Sequence, residues 1–214
     1  MNKSTPARRL TAAAMDLAAI RPWHEITWRE IAAAAGLTLD TAHELAPNKA
    51  AILELLSRQA DQAILAAPAA AGDGSARDRL FDVAMRRFDA LKPHRRGLAS
   101  VAASAAREPS TALAALCSVG RASRALLVAA AIPTEGVAGT LRAKGMSAIW
   151  LAAMRSFLAD ESDDLSATMA TLDKQLRRAE GLLARLTPRR RQAAAEAAGD
   201  EPPPSAAPET VQPL

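Results

Sequence analysis

Apolar residues recur along this chain at the three- and four-residue spacing of amphipathic helices, and no stretch sustains the two-residue alternation of a strand. The segment from Arg9 to Ile20 is the first such run. The second is sharply bounded: Thr27 stands three residues before Glu30, the spacing of a capping box, and Ile31, Ala34 and Ala35 then share one face. Gly36 supplies the left-handed backbone that ends this helix in a tight turn. Thr38 caps the next helix, which runs through Leu45 and stops at Pro47, and a long fourth helix opens at Lys49. Two short helices around a glycine turn make a helix-turn-helix, whose second helix fits a major groove.

Farther along, Ala66 to Ser75 is built of small residues with Pro68, Gly72 and Gly74, and reads as a linker. From Arg77 the pattern resumes. Leu80, Phe81, Ala84, Met85, Phe88 and Leu91 form one apolar stripe facing away from Arg79, Asp82, Arg86 and Arg87, with Pro93 as its stop. Helices are expected over Arg95 to Arg107 and Ser110 to Ile132, closed by Pro109 and Pro133. Gly136 and Gly139 mark a break before a helix from Leu141 to Leu158. An acidic turn, Ala159 to Asp164, caps a last helix from Leu165 to about Leu186. The pattern predicts an all-α chain: a helix-turn-helix head (1–61), a connecting segment (62–76), a larger helical body (77–187), and a disordered proline- and alanine-rich tail (188–214).

Composition sharpens this in one respect. Half of the 214 residues are apolar, yet only 3% are aromatic and tyrosine is absent, so the core must be built from Ala, Leu, Ile, Val and Met with close helix approach. Net charge is +4, but residues 1–61 hold seven basic and seven acidic groups, so the excess lies outside the head. Non-specific DNA affinity comes from cationic contacts to phosphates, and Asp40 and Glu44 put negative charge on the helix that would face the groove. Lys3, Arg8 and Arg9 read as a solvated terminal arm, and Arg189 to Arg191 as a solvated cluster before the tail.

Enzyme signatures are missing. There is no glycine-rich phosphate loop, nucleophile elbow or His-Glu zinc motif, and His24, His43 and His94 lack ligand spacing. Asp160, Glu161, Asp163 and Asp164 lack the glycine and terminal glutamate of a calcium loop and read as a helix cap. No catalytic residue, metal or cofactor is expected. Cys117, alone within an apolar run, reads as a small buried hydrophobe. The longest apolar run, Ala125 to Ile132, is too short to span a bilayer and no leader peptide is evident, so a cytoplasmic protein is expected.

The remaining chemistry is binding. A pocket between body helices for an apolar ligand or lipid would be lined by Met85, Phe88, Leu116, Leu127, Met146, Trp150 and Met154. Arg121, with Arg124 beside it, would face an anionic head group; simple core packing and surface solvation explain these residues too.

The stretch from Arg8 to about Asp61 resembles the TetR family of one-component transcriptional regulators. The resemblance is carried by the first helix, then Trp23, Thr27, Arg29, Ile31, Ala32, the Ala34-Ala35-Gly36-Leu37 turn, Thr41 and Lys49. It implies operator binding by a homodimer and DNA contacts from Thr27, Thr38, Thr41, His43 and Lys49. Asp40 stands where the family has glycine, His43 where it has tyrosine, and Leu45-Ala46 where it has His-Phe. From Arg77 to Glu180 the body is similar to the TetR-like lipid-binding family of coenzyme Q biosynthesis, through Phe157-Leu158, Asp160, Ser162, Asp164, Thr168, Leu172-Asp173 and Leu176. That likeness implies an alternative: an isoprenoid-binding accessory protein of ubiquinone biosynthesis, without DNA binding and with peripheral membrane contact.

Overall fold

A polar residue with a side-chain oxygen precedes most of the early helices, and each caps the one it precedes. The computed structural model describes residues 5–66, 74–105 and 107–199, with side chains as far as residue 183. Thr5 accepts a bond from the Arg8 amide ahead of α1 (Pro6–Ile20), and Thr27 caps α2 (Trp28–Ala34). Thr38 caps α3 (Leu39–Leu45), and Asn48 accepts from the Ala51 amide at 2.9 Å to open α4 (Lys49–Leu65). Ser75 and Asp78 form a reciprocal capping box at the head of α5 (Ala76–Leu91). Then follow α6 (Arg95–Ser104), α7 (Pro109–Ala129), α8 (Gly136–Ala159) and α9 (Ser166–Gly199). Short 3₁₀ turns lie at Trp23–Glu25 and Lys92–His94, and no strand occurs among the described residues. The all-α expectation holds.

The chain divides into two units, Met1–Arg177 and Arg178–Leu214. In the first, one apolar core runs without interruption from Leu10, Met15, Trp23 and Ile31 to Phe88, Leu126, Trp150 and Phe157. α4 is why. Its buried side (Ile52, Leu56, Ala60, Ile64) is shared by the helices before and after it, so the expected boundary at residue 61 falls inside a helix that continues to Leu65. Part of the expected linker, residues 67–73, lies outside the described residues. In the second unit, residues 178–199 continue α9 past Pro188, where the helix was expected to end; the alanine-rich run after Arg191 favours helix strongly.

Four further expectations are corrected. Arg8 sits exposed on α1 rather than in a terminal arm, because Pro6 at the first helical position and the Thr5 cap start the helix three residues ahead of the expected Arg9, and Lys3 lies outside the described residues. Gly136 and Gly139 begin α8 rather than break the chain. Gly136 has φ 66°, and a Cβ on Gly139 would lie 2.1 Å from Thr134 backbone, so both positions require glycine. Cys117 is exposed, since α7 turns Leu113, Leu116 and Cys117 outward while Ala122, Leu126 and Leu127 are buried. α7 as a whole (21 residues) is long and apolar enough by composition to cross a membrane, although it packs along α4 and α8.

Arg87 was placed on the solvent side of α5 and is instead 2% exposed. Its Nε donates to Asp61 of α4 at 2.9 Å, its Nη2 to Ser57 at 3.0 Å, and its guanidinium lies 4.8 Å over the Trp150 ring. Burial holds its pKa below the ordinary value, and the facing Asp61 carboxylate offsets only part of that shift. The acidic cluster is a cap, as the sequence suggests. Both Asp160 oxygens are occupied, Oδ2 by the Thr168 amide (2.8 Å) and hydroxyl (2.7 Å), Oδ1 by the Ser162 amide (3.1 Å) and hydroxyl. Burial pushes this carboxyl pKa up, but the bonds from Ser162 and Thr168 outweigh it and hold the pKa at about 2.

Candidate nucleic-acid interface

The turn between α2 and α3 follows the local rules of its residues. Thr27 donates its amide and hydroxyl to Glu30 Oε2, each at 2.7 Å, and its hydroxyl accepts from the Glu30 amide at 3.2 Å. The Thr27 amide, then the Arg21 guanidinium at 2.8 Å, lowers the Glu30 pKa to about 2. Gly36 takes φ 62° to reverse the chain. On α3 the Thr38 hydroxyl accepts from the Thr41 amide at 3.2 Å and donates to the Thr41 hydroxyl at 2.9 Å. Ala42 is fully buried, while Thr38, Leu39, Asp40, His43 and Glu44 are exposed and Thr41 is half-buried. Trp28 braces this face from below. Its ring edge meets His43 at 5.9 Å, and its Nε1 donates to the Ala46 carbonyl at 2.9 Å.

Of the five residues expected to touch DNA, Thr38, Thr41 and His43 therefore share α3. Thr27 is exposed across the turn, with its hydroxyl engaged in the cap. The Lys49 side chain points elsewhere. Its ammonium donates to the Trp23 carbonyl at 2.7 Å and to Glu108 Oε1 at 3.1 Å, and it lies 4.7 Å over the Trp23 ring. Its side chain is 19% exposed. A lysine expected to point at phosphate is thus turned inward onto the body.

That contact belongs to a seam. The Ser100 hydroxyl of α6 accepts from the Trp23 amide at 3.0 Å and donates to the Arg21 carbonyl at 3.2 Å. Ser104 Oγ lies 3.2 Å from His24 Nδ1, and Thr111 donates to Glu108 Oε2 at 2.7 Å. Desolvation pushes the Glu108 pKa up, but the bonds from Thr111 and Lys49 prevail and leave it below its ordinary 4.5. α6 also lies tightly on α1: a Cβ at Gly97 would stand 2.5 Å from the Met15 carbonyl oxygen. Sequence reasoning missed Ser100, Ser104 and Glu108. Lys49 and Glu108 are 59 residues apart, and no local pattern announces such a pair.

The expected ligand pocket is filled by its own lining. Phe88 stacks on Trp150 at 4.5 Å and meets Phe157 at a tilt at 4.9 Å, and in the same core Leu127 and Met146 are buried and Met85 and Met154 partly buried. Leu116 is 64% exposed and lines no interior. Arg121 is half-exposed beside Glu54 at 4.0 Å, and Arg124 is exposed. A surface groove of about 720 Å³ does occur along α1, between Arg8, Asp16, Gln59, Ala63, Ala90 and His94, and none of the eight expected residues lines it.

Solved structures share this architecture. A TetR transcriptional regulator from Nitrosomonas europaea ATCC 19718 superposes with TM-score 0.64 at 22% identity, covering 81% of this chain and 97% of that one. A TetR transcriptional regulator from Rhodococcus sp. RHA1 gives TM-score 0.52 at 18% identity, over 82% of this chain and 97% of that one. A tetR-family transcriptional regulator from Streptomyces coelicolor gives 0.52 at 20% identity, over 79% and 80%. No family model matches the chain, and no curated protein does. The chain has the TetR fold.

Proposed function

We propose that this protein is a TetR-type transcriptional regulator that binds duplex DNA as a homodimer. The observation that carries it is the outer face of α3, a capped and braced helix of a helix-turn-helix that keeps Thr38, Asp40, His43 and Glu44 open to a groove. Thr27, Thr38, Thr41, His43 and Lys49 are the proposed contacts, with Glu44 positioned to accept from a cytosine amine. Exposed Leu113 and Leu116 of α7 and Val137 and Leu141 of α8 offer apolar surface to a second copy. The effector is a small apolar molecule or lipid that binds one head arrangement better than another, so that operator affinity shifts by differential binding. The cytoplasm is the compartment this function requires.

The test is fluorescence anisotropy with random-sequence duplex DNA over a range of salt. Binding with Kd on the order of 10⁻⁶ to 10⁻⁴ M that weakens steeply with salt supports the proposal. No binding at low salt overturns it. One observation favours a second reading, a lipid- or isoprenoid-binding accessory protein of ubiquinone biosynthesis that has lost DNA binding: Lys49 is drawn into the seam while Asp40 and Glu44 stand exposed on α3. Mass spectrometry of organic extracts of the purified protein would then show a stoichiometric isoprenoid, and its absence would remove that reading.

A further inference from the structure

In this structure the Lys49 charge is paired with Glu108 and directed at the body, where it is not offered to a phosphate. Granting the DNA-binding reading above, we propose that Glu108 is an autoinhibitory latch: it holds the DNA-contacting lysine on the body, and the head reaches full affinity only when that contact opens. The geometry is specific. Glu108 Oε2 is fixed by the Thr111 hydroxyl at 2.7 Å on the first turn of α7, which aims Oε1 at the Lys49 ammonium. The ammonium is shared with the Trp23 carbonyl, so releasing Glu108 leaves it on the head with one partner fewer. Glu108 and Lys49 side chains are 25% and 19% exposed. The pair is neither buried enough to be permanent nor exposed enough to be trivial.

The seam gives the latch its lever. α6 runs from Arg95 to Ser104 against α1 and the Trp23 turn, held by the Gly97 approach to Met15 and by Ser100 and Ser104. Glu108 stands four residues past the end of that helix, at the N-cap of α7, and its amide donates to the Ser104 carbonyl at 3.1 Å. A displacement of α6 within the body therefore carries Glu108 relative to Lys49, so the same motion that would signal an effector also frees or recaptures the cation. Regulation then works by adding or withdrawing a phosphate contact, which changes affinity and its salt dependence together.

A four-protein cycle tests this in the full chain: wild type, Glu108→Gln, Lys49→Gln and the double variant, each titrated with random-sequence duplex over a range of salt. Glutamine keeps the acceptor for Thr111 and removes the charge that holds Lys49; Glu108→Asp, too short to reach, serves as the second variant. The expected result is affinity roughly fivefold to tenfold higher for Glu108→Gln at about 0.1 M salt, with a log–log slope steeper by about one unit per freed contact. Lys49→Gln alone binds no more tightly than wild type, and the double variant loses the gain. A gain that persists without Lys49 shows mere repulsion between Glu108 and DNA and overturns the latch. So does wild-type affinity in both Glu108 variants. Absence of binding by all four proteins at low salt overturns the DNA-binding reading and the latch with it, whereas the preceding two results overturn the latch alone.

Discussion

α4 carries an ion pair at each end, and the two are built differently. Near its C-terminal end, Asp61 meets Arg87 with side chains 14% and 3% exposed, and Ser57 and the Trp150 face complete the arginine's surroundings. At its first residue, Lys49 meets Glu108 at a similar distance, but both side chains keep contact with solvent. In the first pair the arginine is shut off from solvent. The second has an alternative, because water or a phosphate oxygen can take the place of Glu108. One helix thus ties head to body through a fixed joint and a releasable one. The difference teaches that distance alone does not separate a structural ion pair from a regulatory one; the surroundings of each charge do.

The sharpest break in that comparison is Asp61→Ala. It strands the Arg87 guanidinium in the core, and urea unfolding should show a loss of roughly 3–5 kcal/mol. Adding Arg87→Met should restore most of it, since an apolar side chain of similar length needs no partner. If Asp61→Ala is neutral, the joint is not closed as described. Next comes Gly97→Ala, which forces α6 away from Met15. A cost of about 1–3 kcal/mol is expected, with hydrogen exchange rising at the Trp23 turn before the rest of the head.

Smaller still is Glu108→Gln, expected to lower stability by about 1 kcal/mol or less near neutral pH. The sign of its pH dependence follows from the lowered carboxyl pKa. Its contribution is present above the ordinary 4.5 and is lost as pH falls through the folded value, so wild type and Glu108→Gln should converge in acid. Divergence there would contradict the ion pair. The smallest effect on stability belongs to the exposed face: Glu44→Gln should change unfolding by no more than about 0.5 kcal/mol, while improving non-specific duplex affinity.

Much of this was legible in the residues themselves. Thr27, Thr38 and Gly36 fix the helix-turn-helix because caps and left-handed turns are local, needing only neighbours three or four residues away. The Asp160 cap was legible for the same reason. Arg87 was misplaced on the solvent face because its partner is 26 residues distant and on another helix. Cys117 was misplaced because an apolar run does not say which of its faces meets the core. Lys49 was a candidate through the family resemblance, yet its partner came from a turn 59 residues away. Gly136 and Gly139 carried a signal that was read as a break, when it marked a close approach at the start of α8.

The central claim, a dimeric helix-turn-helix protein that reads DNA, is tested most directly by selecting bound duplexes from a random-sequence pool with the purified full chain and sequencing them. Enrichment of a two-fold symmetric site, with half-sites about one helical turn (~10 base pairs) or a multiple of it apart, is the predicted result. A pool that emerges unenriched after selection at low salt would contradict it.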